Sequence, residues 1–301
     1  MIAQFFGNYL LNQRLVTTEQ LKKAIIKSQG VRLKVGVLAI NAGYMTAEQV
    51  DIVHQKQKTM DKKFGEIAVE CGYLKNENID ELLSKQRIGH LLIAQTLVDD
   101  GDLTNSQFEA ALNTYKLRYM LSDDEFDSPE SEKINEIIKY FFHFGSNKFA
   151  DLYSEYMSLL FKNLIRFIGD DFTPLSAQFI EKKKFNWYVS QNICGEFDAY
   201  TAIECDETAF VGLASRFAEE KYTVNDEYAK DAVSEFLNLN NGIFIVNMSN
   251  KHSLELDIAP NIVGYEKNYY FEECSFLVPI MFTFGVVNFI ISGSIPLENQ
   301  Q

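Results

Sequence analysis

The sequence predicts an α+β protein: an all-helical tandem repeat of four units of 29 residues, followed by a domain that mixes helices with a sheet. Two observations predict this. Gly7, Gly36, Gly65 and Ala94 stand 29 residues apart, and so do Arg14, Gly43, Gly72 and Gly101. Beyond residue 145 the pattern changes, with strand-like runs at Phe185 to Cys205 and toward the C-terminus, and helical stretches from Thr208 and around Asp231 to Val246. The expected boundaries are 1–116 for the repeats, 117–144 for an acidic linker and connecting helix, and 145–301 for the second domain.

Each repeat reads as a short apolar segment, a turn and a longer helix, as in Tyr9-Leu10-Leu11 to Gln20-Leu21 and Leu38-Ala39-Ile40 to Gln49-Val50. Thr17, Thr46 and Thr104 each have a glutamine three residues on, Gln20, Gln49 and Gln107. That is the spacing of a capping box, in which hydroxyl and carboxamide each satisfy a backbone N–H at a helix start. Lys75 holds the place in the third unit, which lacks the box. Gly43, Gly72 and Gly101 fall where the first helix of a unit must stop, and a left-handed glycine is the usual stop. Arg14, in the equivalent place, is expected to be strained or to end its helix differently. One helix pair cannot bury its own apolar faces; stacked pairs can, giving a small helical array.

Ser122 to Ser131 is acidic, polar and interrupted by Pro129, and reads as a solvated linker. From Glu132 to Ile168 apolar residues recur at helical spacing, with Gly145 as a break between two helices. The aromatic run Tyr140 to Phe144 is expected in a core, since nothing around it supplies a ligand set.

The chemistry-bearing pattern lies further on. Asn225 or Asp226 can cap a long helix that runs through Val246. Ala229, Val233, Phe236, Leu237 and Phe244 line one stripe, while Asp231, Glu235 and Asn238 gather on the opposite, outward side. Asn240 lands on the apolar stripe, for which the sequence offers no reason.

The Asp-x-x-x-Glu-x-x-Asn pattern of Asp231, Glu235 and Asn238, with Gly242 nearby and Pro260 about two dozen residues on, resembles the signature of the CheC/CheX/FliY phosphatases. These proteins dephosphorylate the chemotaxis response regulator CheY. The element order over roughly residues 145 to 296 is similar to that of the single-motif CheX member. The resemblance implies a CheX-like α/β sandwich with a mainly antiparallel sheet. The spacing to Pro260 departs from the family pattern by about one residue, within a loop.

The resemblance also implies in-line attack of water on a phospho-aspartate whose charge is already offset by the receiver's own Mg and lysine. The phosphatase then needs no cofactor of its own and supplies a water-positioning group. Asn238 is the residue expected in that role, accepting from the water with its oxygen and donating to a phosphoryl oxygen with its nitrogen. Glu235 is expected to dock on a cationic group of the receiver, and Asp231 to support it. CheX-like proteins often dimerise, which makes a homodimer a further expectation.

The repeats resemble those of the MshEN family, the N-terminal domain of type II secretion and pilus ATPases, whose members often bind cyclic di-GMP. The phrases that carry this are Lys34-Val35-Gly36 with Gly43-Tyr44-Met45 and Gln57, and Lys63-Phe64-Gly65 with Gly72-Tyr73-Leu74 and Gln86. On this resemblance a cyclic di-GMP molecule would sit across units two and three, on Lys34, Gly36, Gln57, Lys63, Gly65 and Gln86. The family's Arg-Leu-Gly opening is altered in every unit; lysine keeps the charge and loses the planar guanidinium.

Composition narrows the partners. The 301 residues are 47% hydrophobic and carry a net charge of −14. Lys and Arg against Asp and Glu number 14 to 13 in residues 1–116 and 14 to 29 in residues 117–301, which sum to the 28 and 42 of the whole chain. The acidic part argues against nucleic acid or an anionic membrane and for a protein partner. Cys71, Cys194, Cys205 and Cys274 and the scattered His54, His90, His143 and His252 show no paired metal spacing, so no metal site is expected. Met1-Ile-Ala-Gln lacks the basic start of a signal peptide. Phe276 to Ile291 holds Pro279, Gly285 and Asn288, so no membrane insertion is expected, and with free thiols the expected location is cytoplasmic. Phosphate-binding glycine loops and Ser–His–Asp nucleophile motifs are absent. Lys182-Lys183-Lys184 reads as a solvated entry before the first strand.

Two functions follow. One is a receiver phosphatase localised or regulated by its helical repeats. The other is a non-catalytic signalling adaptor that binds a receiver or dimerises, with the repeats binding cyclic di-GMP or a motility or secretion partner.

Overall fold

A computed structural model describes residues 2–28, 31–84, 89–119, 134–142, 144, 150–272 and 275–298. These fall in two compact units, one drawn from 2–128 with 171–173, the other from 129–170 with 174–301. The architecture is α+β, with the sheet antiparallel. The linker Ser122 to Ser131, His143, Gly145 and Cys274 lie outside the described residues.

In the first unit a 3-10 turn, Ile2–Phe5, precedes helices that come in short-then-long order: α1 (Phe6–Asn12) and α2 (Thr18–Lys27), α3 (Val35–Asn41) and α4 (Ala47–Gln57), α5 (Phe64–Glu70) and α6 (Asn76–Ser84), α7 (Gly89–Asp99) and α8 (Asn105–Arg118). Backbone bonds show why the first member of each pair stops. The Tyr44 N–H donates to the Ala39 carbonyl at 2.9 Å and the Gly43 N–H to Ile40 at 3.1 Å, the two bonds of a Schellman ending. The same two bonds recur at Tyr73 with Gly72 and at Asp102 with Gly101, and the three glycines have φ of 69°, 73° and 79°. Leu15 and Arg14 make them as well, with Arg14 at φ 55°. A non-glycine residue is thus held left-handed, at a cost of about 1–2 kcal/mol.

The second helices begin as the hydroxyl–carboxamide spacing requires. Thr17 Oγ1 accepts from the Gln20 N–H and Gln20 Oε1 from the Thr17 N–H, and the reciprocal pair recurs at Thr46 with Gln49 and Thr104 with Gln107. At Lys75 only the return bond exists, from its N–H to Asn78 Oδ1. The core is apolar and aromatic, with Leu21, Ala39, Val53, Leu91, Leu97 and Phe108 fully buried and Tyr115 edge-on to Phe6 and Tyr9.

The second unit contains α9 (Ile134–Phe142), α10 (Ala150–Phe167), α11 (Glu207–Phe217) and α12 (Glu227–His252). Its strands are β2 (Gln178–Phe179), β3 (Lys182–Gly195), β4 (Ala199–Cys205), β5 (Leu256–Ile258), β6 (Ile262–Tyr270), β7 (Ser275–Phe282), β8 (Gly285–Ser292) and β9 (Leu297–Glu298), after a junction strand β1 (Phe172–Pro174). They run in the order β7-β8-β4-β3-β6-β9, with β2 beside β7 and β5 beside β3. β3 changes partner along one edge: β6 pairs with it from Lys182 to Ser190, β5 from Ile193 to Gly195. Ala259-Pro260-Asn261 crosses at the change, where a proline without an N–H is tolerated.

The lysine run corrects the expected strand entry. Lys182 to Lys184 lie inside β3, opposite Tyr270 to Asn268, and two of the three have acidic partners there: Lys184 Nζ is 2.9 Å from Glu266, and Lys183 Nζ is 3.5 Å from the buried Glu204. Of the aromatic run, Phe141, Phe142 and Phe144 are buried, with Phe142 stacked on Phe161, whereas Tyr140 is exposed on the outer side of α9. α11 and α12 pack on the sheet and bury Phe210, Leu213, Val233, Phe236 and Phe244.

Candidate functional site

The site is built on α12. Asp226 caps its start, its carboxylate accepting from the Ala229 N–H at 3.0 Å, and left-handed Ser253 at φ 58° ends it. Ala229, Ala232, Val233, Phe236, Leu237, Phe244 and Met248 are buried, and Asp231 and Glu235 are exposed on the other side. Asn238 is half-buried at the edge of that face. Gly242 lies one turn further, and a Cβ there would meet nothing within 4 Å. The exposed strip ends on two large apolar residues, Tyr228 at 72% exposure and Val246 at 55%. It therefore joins acidic, carboxamide and apolar groups in one line along the helix.

Beneath Asn238 runs a chain of polar groups that the sequence alone does not reveal. Gln191, on β3, donates through Nε2 to Asn238 Oδ1 at 3.0 Å and to the Ala259 carbonyl at 2.8 Å. Gln191 Oε1 accepts from Asn241 Nδ2 at 2.8 Å. Asn241 Nδ2 also donates to Thr201 Oγ1 at 2.8 Å, and Asn241 Oδ1 accepts from the Tyr156 hydroxyl at 2.8 Å. The Thr201 hydroxyl donates to the Gln191 carbonyl at 3.1 Å. Gln191, Thr201, Asn241 and Tyr156 are all buried. Burial raises the Tyr156 pKa well above the ordinary phenol value, so the hydroxyl keeps its proton and donates.

The loop after β5 completes the frame. Asn261 Nδ2 donates to the Ser234 carbonyl on α12 at 2.8 Å, and the Ala259 N–H donates to the Asn192 carbonyl at 2.9 Å. Pro260, between these anchors, fixes its own φ and keeps Ala259 extended, which holds the Ala259 carbonyl toward Gln191. Asn240, unexplained by the helical stripe, accepts from Asn163 Nδ2 on α10 at 2.8 Å and is fully buried.

The arrangement fixes one end of the Asn238 carboxamide. One side of its oxygen is taken by Gln191, so the group turned outward is the NH2, a hydrogen-bond donor. An outward donor suits an anionic oxygen, and the exposed Glu235 carboxylate one turn back suits a cation.

The residues expected to hold a nucleotide have packing and hydrogen-bond partners within the helical unit. Lys34 Nζ is 2.6 Å from Asp99 Oδ1, and the Gln57 carboxamide donates to the Lys62 carbonyl at 3.2 Å. A Cβ at Gly36 would come within 2.9 Å of Val50, and one at Gly65 within 2.9 Å of Ile79. Both glycines are thus accounted for by close helix packing. Lys63 starts α5, its backbone N–H donating to Glu66 at 2.8 Å, and Gln86 lies outside the described residues. Among the described residues there is no group of three or more His, Cys, Asp and Glu side chains placed to hold a metal, and no helix long and apolar enough to cross a membrane.

No protein family model matches the chain, and no curated protein matches it. Solved structures do. A CheC-like superfamily protein from Shewanella sp. PV-4 aligns at 20% identity and a TM-score of 0.40, covering 45% of this chain and 92% of its own. The chemotaxis protein CheX from Vibrio vulnificus aligns at 15% identity and 0.40, covering 46% and 95%. The CheX–CheY–BeF3–Mg complex from Borrelia burgdorferi aligns at 18% identity and 0.38, covering 46% and 94%.

Proposed function

We propose that the sheet unit hydrolyses the phospho-aspartate of a CheY-like receiver domain, with Asn238 positioning the reactants and Glu235 docking the receiver. The observation that supports this most is the carboxamide of Asn238, set at the rim of an exposed helix face with its oxygen already engaged and its NH2 outward. Water attacks phosphorus in line, the bond from phosphorus to the aspartyl oxygen breaks with its electron pair going to the aspartate carboxylate, and both protons of the water leave with inorganic phosphate as H2PO4−. The receiver's Mg and lysine offset the phosphoryl charge. Asn238 adds a neutral donor to a phosphoryl oxygen, and the remaining acceptor position on its oxygen orients the water. Glu235 and Asp231 provide acidic contacts for a basic rim on the receiver, and Tyr228 and Val246 apolar ones at each end. The helical unit serves as a scaffold that places or regulates the phosphatase, in keeping with the packing role of Gly36 and Gly65.

Phosphate release from phosphorylated CheY-type receivers of the same genome tests this. The full chain is expected to accelerate release, and Asn238→Ala to lose at least about 10²-fold of the acceleration. Absence of acceleration by the wild type, or an unchanged rate in Asn238→Ala, sinks the enzymatic reading. Binding of a BeF3-loaded receiver without hydrolysis would establish the adaptor instead.

A further inference from the structure

We infer that Gln191 is a positioning residue for Asn238: it sets which end of the carboxamide faces the reaction, through a hydrogen-bond chain whose direction is fixed at two backbone carbonyls. This rests on the phosphatase reading above.

The direction follows from what each atom can do. A backbone carbonyl only accepts, so Ala259 O requires the nitrogen end of Gln191 to point at it, and the same nitrogen then meets Asn238. Asn238 must therefore turn its oxygen inward. The second fixed point agrees. The Gln191 carbonyl accepts from the Thr201 hydroxyl, so Thr201 Oγ1 accepts from Asn241 Nδ2, whose other hydrogen goes to Gln191 Oε1. Tyr156 supplies the donor that Asn241 Oδ1 needs. Both hydrogens of the Gln191 and Asn241 amides are placed, and no flipped arrangement of either satisfies the same partners.

The chain is long for the stability it supplies. Buried polar networks seldom outperform a well-packed apolar core, and a purely structural sheet–helix contact would be served by leucine or valine. What the network adds is one orientation for the single member that reaches the surface. An exposed asparagine held only by its own rotamer would present oxygen and nitrogen alternately to a phosphoryl group.

Two variants of the full chain test this. Gln191→Met removes the amide at similar volume. Gln191→Glu keeps the shape but offers no donor to Asn238, so the carboxamide is expected to rotate and point its oxygen outward. Both are expected to lower kcat for receiver dephosphorylation on the order of 10²-fold, with KM for the receiver changed by less than about twofold. In an Asn238→Ala background Gln191→Met should cost no further activity. In the free protein, 15N relaxation should show the Asn238 side-chain NH2 ordered in the wild type and mobile in Gln191→Met. That readout needs no substrate: a wild type that releases no phosphate ends the phosphatase reading, while the positioning of Asn238 stands or falls on the relaxation data. An Asn238 NH2 equally ordered in wild type and Gln191→Met, or a kcat unchanged in both variants of an active enzyme, overturns the inference.

Discussion

Gln191 Nε2 lies 3.0 Å from Asn238 Oδ1, so a residue from the middle of the sheet holds a carboxamide at the surface of a helix. Asn238→Asp keeps the shape and the inward acceptor but replaces the outward NH2 by a charged oxygen. Phosphate release is expected to fall by about 10²–10³-fold, because a preorganised donor becomes a repelling charge. The urea midpoint should move by less than about 0.5 kcal/mol equivalent at this rim position.

Gly242 has no steric reason to be glycine within this chain, since a Cβ there meets nothing. Gly242→Ala is expected to stabilise the sheet unit by about 1 kcal/mol, the helix-interior difference between the two residues. The same methyl stands on the exposed strip one turn beyond Asn238, and should weaken binding of a BeF3-loaded receiver. Urea titration and calorimetry on one preparation read both effects.

The Asn163–Asn240 contact gives a test of stability. Asn240 Oδ1 accepts from Asn163 Nδ2 at 2.8 Å, and both residues are buried. Asn240→Leu alone strands Asn163 and should cost about 1–3 kcal/mol. The joint change Asn163→Leu with Asn240→Leu should recover most of it, as read by thermal melts of the two variants.

Arg14→Gly should stabilise the helical unit by about 1–2 kcal/mol, because it relieves a left-handed non-glycine residue while keeping both Schellman bonds. A melting temperature at or below wild type would show that Arg14 has compensating contacts.

Acid should act through His90 on α7, whose burial holds its pKa down to about 3. The folded chain keeps the imidazole neutral while the unfolded chain takes up a proton near pH 6.5. This group's contribution is therefore full above about pH 6.5 and falls as pH drops toward 3, by up to about 1.4 kcal/mol per unit. His90→Leu should flatten that part of the pH dependence of the urea midpoint relative to wild type.

What the sequence revealed and what it hid divide by range. Capping boxes and left-handed stops are local, with partners three to five residues apart, so Thr17, Thr46, Thr104 and the glycines could be read directly. The exposed face of Asp231, Glu235 and Asn238 followed from helical period alone. Gln191, Thr201 and Tyr156 could not be found that way, because their partners on α12 lie 40 to 85 residues off in the chain. Their one local trace was the polar break at Asn240 and Asn241 in an apolar stripe. The partner of the Asn238 oxygen is hidden for the same reason: a helical wheel gives direction from the axis and says nothing about which atom of an amide a neighbour holds. The lysine run was placed outside the sheet because its neutralising partners, Glu204 and Glu266, come from other strands.

Tyr156 and Asn163 stand seven residues apart on α10, about 10 Å along its axis, yet they grip adjacent residues of α12, Asn241 and Asn240. Adjacent residues on a helix point about 100° apart, so the two grips act like a key in a shaft: they resist both sliding and rolling of α12. A greasy seam of leucines would leave the helix free to settle at several angles. Here the strip from Tyr228 to Val246 has one angular setting before any partner arrives, so the ordering is completed during folding and encounter can proceed as rigid docking.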